Sequence, residues 1–199
     1  MNYIYKKEFR DYYVTYTLIF INLVIFILMT IAGGTTNYMV LILFGAKVNP
    51  LIEAGQYWRL FTCIFIHIGF THLLFNTYAL IALGKFTEYL FGHKKYLFVY
   101  IFCGLCGSLF SYFFSPSISA GASGAIFGLL GSLVGYGWRN AFLWQSGLIT
   151  NLLIVLGINL FLGFVFPGID NYAHLGGLLG GLLLGFGSNL IKINRQNFH

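Results

Sequence analysis

The chain has 199 residues, of which 58% are hydrophobic, 20% aromatic and only 8% charged, and its mean hydropathy is +0.81. A soluble domain carries about 25% charged residues, so this composition excludes one and describes a protein that crosses a bilayer several times. The formal charge of +6 could suggest a nucleic-acid partner, but the placement of the basic residues excludes that as well.

One crossing takes about 20 apolar residues as a helix. Six such stretches can be read, at about Val14 to Ala32, Phe70 to Tyr89, Tyr96 to Phe114, Ser123 to Trp138, Ser146 to Val165 and Tyr172 to Ile191. Inside lipid a long apolar run satisfies its backbone hydrogen bonds only as a helix or in a closed barrel, and barrel-type alternation is absent. The expected fold is therefore an all-α membrane protein of six transmembrane helices. Residues 1–199 read as one domain, with short tails at about 1–13 and 192–199. The basic residues ahead of the first run imitate a signal peptide. That run is longer than a signal core and no cleavage-like site follows, so it reads as a membrane helix. Between the first two spans lies a long connection, Gly33 to Gly69, whose piece Tyr38 to Phe44 is apolar but too short to cross and suits the interface.

Charge then gives an orientation. Lys6, Lys7, Arg10, Lys85, Lys94, Lys95, Arg139, Lys192 and Arg195 fall on one side of a six-span layout, and only Lys47 and Arg59 on the other. The positive-inside rule puts the first side, with both termini, in the cytoplasm. Cys103 and Cys106, inside the third span, read as small packing residues, and with Cys63 they form no disulfide or metal framework.

This orientation makes the second, fourth and sixth spans run inward. His72 and Asn76 begin the second, Ser123 opens the fourth and His174 opens the sixth. All four should lie near the outer face, ~5–12 Å deep at the helical rise per residue. Polar groups at such depth mark function, and a hydroxyl, two imidazoles and an amide are the minimum set for serine hydrolysis. Ser123 sits in Gly121-Ala122-Ser123-Gly124 at a helix N-terminus, where the dipole favours developing negative charge. Taken alone, the same Gly-Ala-Ser pattern reads more simply as helix packing. His174 is followed by Gly177, Gly181 and Gly185, a stripe that lets another helix approach. A neutral imidazole there can take the serine proton. His72 and Asn76 share a helix face, and an Asn amide can donate to an oxyanion. Three histidines without an acidic ligand or an H-E-x-x-H pattern do not read as a zinc site.

The pattern resembles the rhomboid family of intramembrane serine proteases. The residues that carry the likeness are Trp58-Arg59; His67, His72 and Asn76; Gly121 to Gly124; Ala173-His174 with Gly177 and Gly181; and the stretch from Leu83-Gly84 through Glu88 to Gly92. The resemblance implies a rhomboid-like bundle with a partly embedded first loop that holds Trp58 and Arg59. It implies a dyad of Ser123 as nucleophile and His174 as base and acid, with an oxyanion site of His72, Asn76 and the Ser123 backbone amide. His67, Gly121, Gly124, Phe127, Gly177 and Gly181 would support them, and no cofactor or metal is needed. The fifth helix and residues Phe166 to Asn171 would form a gate and cap. Phe127 departs from some relatives, which place Tyr under the histidine and gain a hydroxyl. Asp170, four before His174, reads as a solvated loop carboxylate.

The expected function is cleavage of transmembrane or juxtamembrane segments near the outer face of the plasma membrane. Partners would be membrane-protein substrates with helix-weakened segments, in the bilayer, with no nucleic acid; the oligomeric state is not readable. The alternative is a rhomboid-like pseudoprotease that binds membrane clients without cutting. Such relatives generally lack the serine or the histidine, and both are present here. A small transporter is a third class, but Glu8, Asp11, Glu53, Glu88 and Asp170 all fall in tails, loops or helix ends.

Overall fold

The computed structural model describes residues 9–138, 141–165 and 168–187. Among them the fold is all-helical, with one isolated antiparallel bridge between Lys47 and Ser119. Helix α1 (Tyr13–Ile31) is followed by three short helices, α2 (Tyr38–Phe44), α3 (Asn49–Glu53) and α4 (Arg59–Thr62), and a 3₁₀ turn at Cys63–Phe65. Then come α5 (Phe70–Ala79), a π turn (Leu80–Gly84) and α6 (Lys85–Phe91), which run on as one rod. Helices α7 (His93–Phe114), α8 (Ser123–Trp138), α9 (Ala141–Gln145), α10 (Leu148–Val165) and α11 (Asn171–Phe186) complete the order.

By length and apolar character α1 and α7 can each cross a membrane. The α4-to-3₁₀ segment and the α5–α6 rod make a third candidate, bent by 87° at the break between Phe65 and Phe70. The remaining apolar helices are shorter; α8 and α11 have 16 residues each, fewer than the roughly 20 of a full crossing. The expected end of the sixth stretch, beyond residue 187, and Arg139 lie outside the described residues.

The first connection is a small folded unit. Asn37 caps α2 by accepting from the Met39 amide at 2.9 Å, and Gly45 ends it at a φ of 99° that only glycine adopts freely. Val40, Leu41 and Ala46 pack with Met29 of α1 and Ile66 into a minor core, which touches Ile118 and Ala120 just ahead of α8. Arg59, 4% exposed, binds this unit from within. Its guanidinium donates to the carbonyls of Ile42 (2.8 Å) and Ala46 (3.1 Å) and to Gln56 Oε1 (2.7 Å).

The opposite end is fastened by Glu88, 1% exposed on α6. Its carboxylate accepts from the Val14 amide (3.0 Å), the Thr15 amide (2.9 Å) and Thr15 Oγ1 (2.6 Å), which caps the first turn of α1. His93 Nδ1 lies 2.6 Å from the same carboxylate at the start of α7. Lys85, Lys94 and Lys95 belong to this end by position, whereas Lys47 and Arg59 belong to the other.

Helices α7, α8 and α11 form the tightest part of the molecule. Gly177 and Gly181 of α11 face the carbonyls of Gly124 and Gly128 on α8 so closely that a methyl group at either glycine would overlap them. At Gly131 a methyl would lie 2.5 Å from the Leu178 carbonyl, and at Gly185 2.5 Å from that of Ser132. Lipid tails are as apolar as leucine, so helices in a membrane associate through close van der Waals packing, and small residues allow it.

Candidate active site

Ser123 is the first residue of α8, so the backbone amides of that first turn have no partner within the helix. The approach to it is fixed in detail. The Lys47 amide donates to the Ser119 carbonyl (2.9 Å), the Ser119 amide returns a bond to Lys47 (3.1 Å), and the Gly121 amide donates to the Cys63 carbonyl (2.9 Å). Gly121 has a φ of +136°, and a methyl there would lie 2.6 Å from His72 Cε1 and 2.7 Å from Nε2, with Ser123 Oγ 3.7 Å away. Only glycine satisfies both the dihedral and the space. The His72 ring therefore lies flush against the turn that delivers the serine hydroxyl.

His72 is half-buried and Asn76 is 6% exposed, one turn apart on α5. The Asn76 side chain donates to the His72 carbonyl at 2.9 Å. His67, fully buried just before α5, meets His72 edge-on with ring centroids 5.2 Å apart. Neither His67 ring nitrogen has a hydrogen-bond partner.

His174 lies in the first turn of α11, 8% exposed. Its ring stacks on Phe127 of α8, with centroids 4.1 Å apart and planes within 10°. Phe127, one turn after Ser123 on α8, thus presents its ring to His174 without a hydroxyl. The flanking backbones also touch. A methyl at Gly124 would lie 3.2 Å from the Ala173 carbonyl, and one at Gly107 of α7 2.7 Å from the same oxygen. The residues adjoining Ser123 and His174 are therefore in contact. No hydrogen bond joins Ser123 Oγ to the imidazole among the described residues, and His174 Nδ1 is buried without a partner.

Asp170 differs from the sequence reading. It is half-buried rather than a solvated loop acid. One oxygen caps α11 by accepting from the Ala173 amide (3.0 Å), and the other accepts from Ser111 Oγ of α7. Both oxygens are committed away from the imidazole, so Asp170 forms no third member behind His174. Trp58 and Arg59 lie in the first connection, and the hydrogen bonds of Arg59 stay within it. Of the expected supporting glycines, Gly121 lies beside the serine and histidine, and Gly124, Gly177 and Gly181 lie in the α8–α11 seam. Residues 166 and 167 of the expected cap lie outside the described residues.

Sequence reasoning passed over Lys47, Asn49 and Ser111, polar side chains that reach the segment around α7 and α8. All three act largely on backbone or on Asp170, and only the presence of a lysine in an otherwise uncharged stretch could have flagged one of them.

A model of the rhomboid domain matches residues 54–189, which take in every site residue expected from the sequence, from Trp58 to Gly181, but not Lys47 or Asn49. Rhomboid protease GluP of Bacillus subtilis (strain 168) is 46% identical over 167 residues, which is 84% of this chain and 33% of that relative. RHOMBOID-like protein 4 of Arabidopsis thaliana is 39% identical over 145 residues, 71% of this chain and 36% of its own length. The putative rhomboid protease YdcA of Bacillus subtilis (strain 168) is 38% identical over 141 residues, 69% and 70% respectively. This chain thus spans about a third of the length of the first two. With these matches over its apolar helices, the chain belongs to the rhomboid family of integral membrane proteins.

Proposed function

We propose that this chain is an intramembrane serine endopeptidase that cuts transmembrane or juxtamembrane segments of membrane proteins through a dyad of Ser123 and His174. The observation that carries the reading is the meeting at one end of α8 of three groups from distant segments. Ser123 opens the helix, His72 packs on the glycine beside it, and His174 stacks on Phe127 one turn below. The family match and the similarity to proteins named as rhomboid proteases support the same chemistry.

In this mechanism Ser123 Oγ attacks the scissile carbonyl while His174 accepts the hydroxyl proton and returns it to the leaving amine. Catalytic hydrogen bonds are often long before substrate binds, so the dyad closes in the complex. The oxyanion takes the Ser123 backbone amide, the second amide hydrogen of Asn76 and the His72 ring. Water then resolves the acyl-enzyme, and neither metal nor cofactor takes part. A substrate helix must unwind locally, because a helical peptide bond is hydrogen-bonded and shielded. Helix-weakening residues at the cut favour it.

The arrangement in the bilayer is part of the proposal. Six spans within a single domain, 1–199, put both termini in the cytoplasm and the site toward the extracytoplasmic side of the plasma membrane. The ends of the molecule marked by Glu88 and by Lys47 match that sorting of charge. The test is cleavage of a model single-span substrate in liposomes by the purified protein. Ser123→Ala and His174→Ala should each abolish it, and a fluorophosphonate probe should label Ser123. Undiminished cleavage by either variant sinks the dyad, and client binding with no labelling would point to a non-catalytic binder.

A further inference from the structure

We propose that Lys47 and Asp170, joined through the last turn of α7, are positioning residues that fix Ser123 and His174 relative to each other. This rests on the dyad reading above.

The ammonium of Lys47 is fully buried and donates to the carbonyls of Ser115 (2.6 Å) and Ser117 (3.0 Å). Asn49 Nδ2 adds bonds to the carbonyls of Tyr112 (2.9 Å) and Ser115 (3.2 Å). The last carbonyls of a helix have no intrahelical partner and favour a cation, so Lys47 and Asn49 together cap the C-terminus of α7 from outside. Lys47 also pairs its backbone with Ser119 in both directions. The segment 115–121 that leads to Ser123 is therefore gripped at the carbonyls of 115, 117 and 119 and the amides of 119 and 121. Of the six bonds at these groups, four come from Lys47 itself, one from Asn49 and one from Cys63.

The histidine side is fastened to the same turn. Ser111, buried one turn before Ser115, donates through Oγ to Asp170, which caps the amide of Ala173, and the Asp170 carbonyl accepts from the His174 amide at 3.2 Å. The end of α7 is thus the common anchor of both approaches. Burial pushes the Lys47 ammonium below the usual lysine value, and the Asp170 carboxylate partly offsets that, so the two charges sense each other across the anchor. A serine and a histidine on different helices can transfer a proton only if their spacing is held tightly, and misplacement by about 1 Å can cost about 10²-fold in rate. Neither Lys47 nor Asp170 touches the reacting atoms; each acts through the backbone that carries them.

The full chain in liposomes, with a single-span membrane substrate, tests this. Lys47→Met should lower kcat by about 10²-fold and leave KM within about twofold. The rate of fluorophosphonate labelling at Ser123 should fall in parallel. Ser111→Ala should lower kcat by about tenfold with the same unchanged KM, and Lys47→Arg, which keeps the charge and the donors, should recover most of the loss. A Lys47→Met protein with wild-type kcat and labelling overturns the proposal. So does a loss that only tracks a lowered Tm and vanishes when the assay is run well below it. If Lys47→Met does not fold, Ser111→Ala, a one-atom truncation, decides on the same criteria. Wild-type protein that neither cleaves nor labels at Ser123 would overturn the dyad and this inference together. Active wild type with indifferent variants overturns this inference alone.

Discussion

Helices α8 and α10 are both apolar and are separated in sequence only by the short α9, yet they are held in opposite ways. Nearly every residue of α8 is buried, and its glycines put backbone against backbone with α11. Helix α10 buries Ile149 and Leu152 near its start, while Ile154, Val155, Ile158, Phe161 and Val165 are exposed along the rest. Near its far end a side-chain bond, Asn171 Nδ2 to the Gly163 carbonyl at 2.8 Å, ties it to the first residue of α11. The contrast teaches that this fold spends its packing where two side chains must keep a fixed distance. Along most of α10 it leaves an apolar face uncovered.

The strongest way to break the comparison is to add a side chain at a glycine of α11 that faces α8 and, separately, at a glycine of α10. Gly181→Val drives a side chain into the Gly128 carbonyl, and the expected cost is about 3 kcal/mol or failure to fold, read from thermal unfolding in detergent. Gly157→Ala, in open space on α10, should be neutral or stabilise by up to about 1 kcal/mol through helix propensity. Equal losses at both sites would dissolve the distinction.

Next in size is Glu88→Ala, which strips the cap from α1 and leaves the buried amides of Val14 and Thr15 without acceptors. It should cost about 2 kcal/mol in the same unfolding assay. Glu88 lies far from the candidate site, so kcat of the folded fraction should stay near wild type.

Phe127→Leu sharpens the comparison within α8. It keeps an apolar volume but removes the stack under His174, worth about 1 kcal/mol in an aromatic pair. Cleavage should fall in kcat more than in KM, while Phe127→Tyr should stay close to wild type. A Leu variant with unchanged kcat would show that the stack does not orient the imidazole.

The smallest expected change in stability is at Asn171→Ala, which releases the Gly163 carbonyl, under about 1 kcal/mol. Its effect on turnover should be opposite in sign to the others. If the outer part of α10 admits substrate, initial rates with a membrane substrate should rise, and amide exchange along 158–165 should quicken. A fall in rate would assign Asn171 to holding the site rather than α10.

Much of this architecture could be read from the chain itself. The expected fourth stretch, Ser123 to Trp138, matches α8 residue for residue, because a glycine turn stops one element and starts the next. The starts of α10 and α11 fell within two residues of expectation. The second stretch was expected as one uniform helix, yet it carries a π turn at Leu80–Gly84. That turn lies where Gly84 packs against the Tyr96 hydroxyl and Thr15, a tertiary contact with no local pattern. The chemistry-bearing residues Ser123, His72 and His174 stood out because polar groups are rare in such a chain. Lys47 did not, since it was counted with the charges that sort by side, and its acceptors are carbonyls, which every residue has. Asp170 was misjudged for a related reason: its neighbour Ser111 is 59 residues away and looks like any small packing residue.

The carboxylate of Glu88 has a consequence for how the polypeptide assembles. The amides of Val14 and Thr15 find their acceptor 74 and 73 positions later, after the whole first connection and most of the α5–α6 rod have been made. During synthesis the leading helix must therefore wait in the translocation machinery, or in lipid with its first turn hydrated, until the later segment arrives. Docking of α1 becomes a late event that reports on completion of the Glu88 end, and a ribosome-stalled chain ending before residue 88 should leave that helix unlatched.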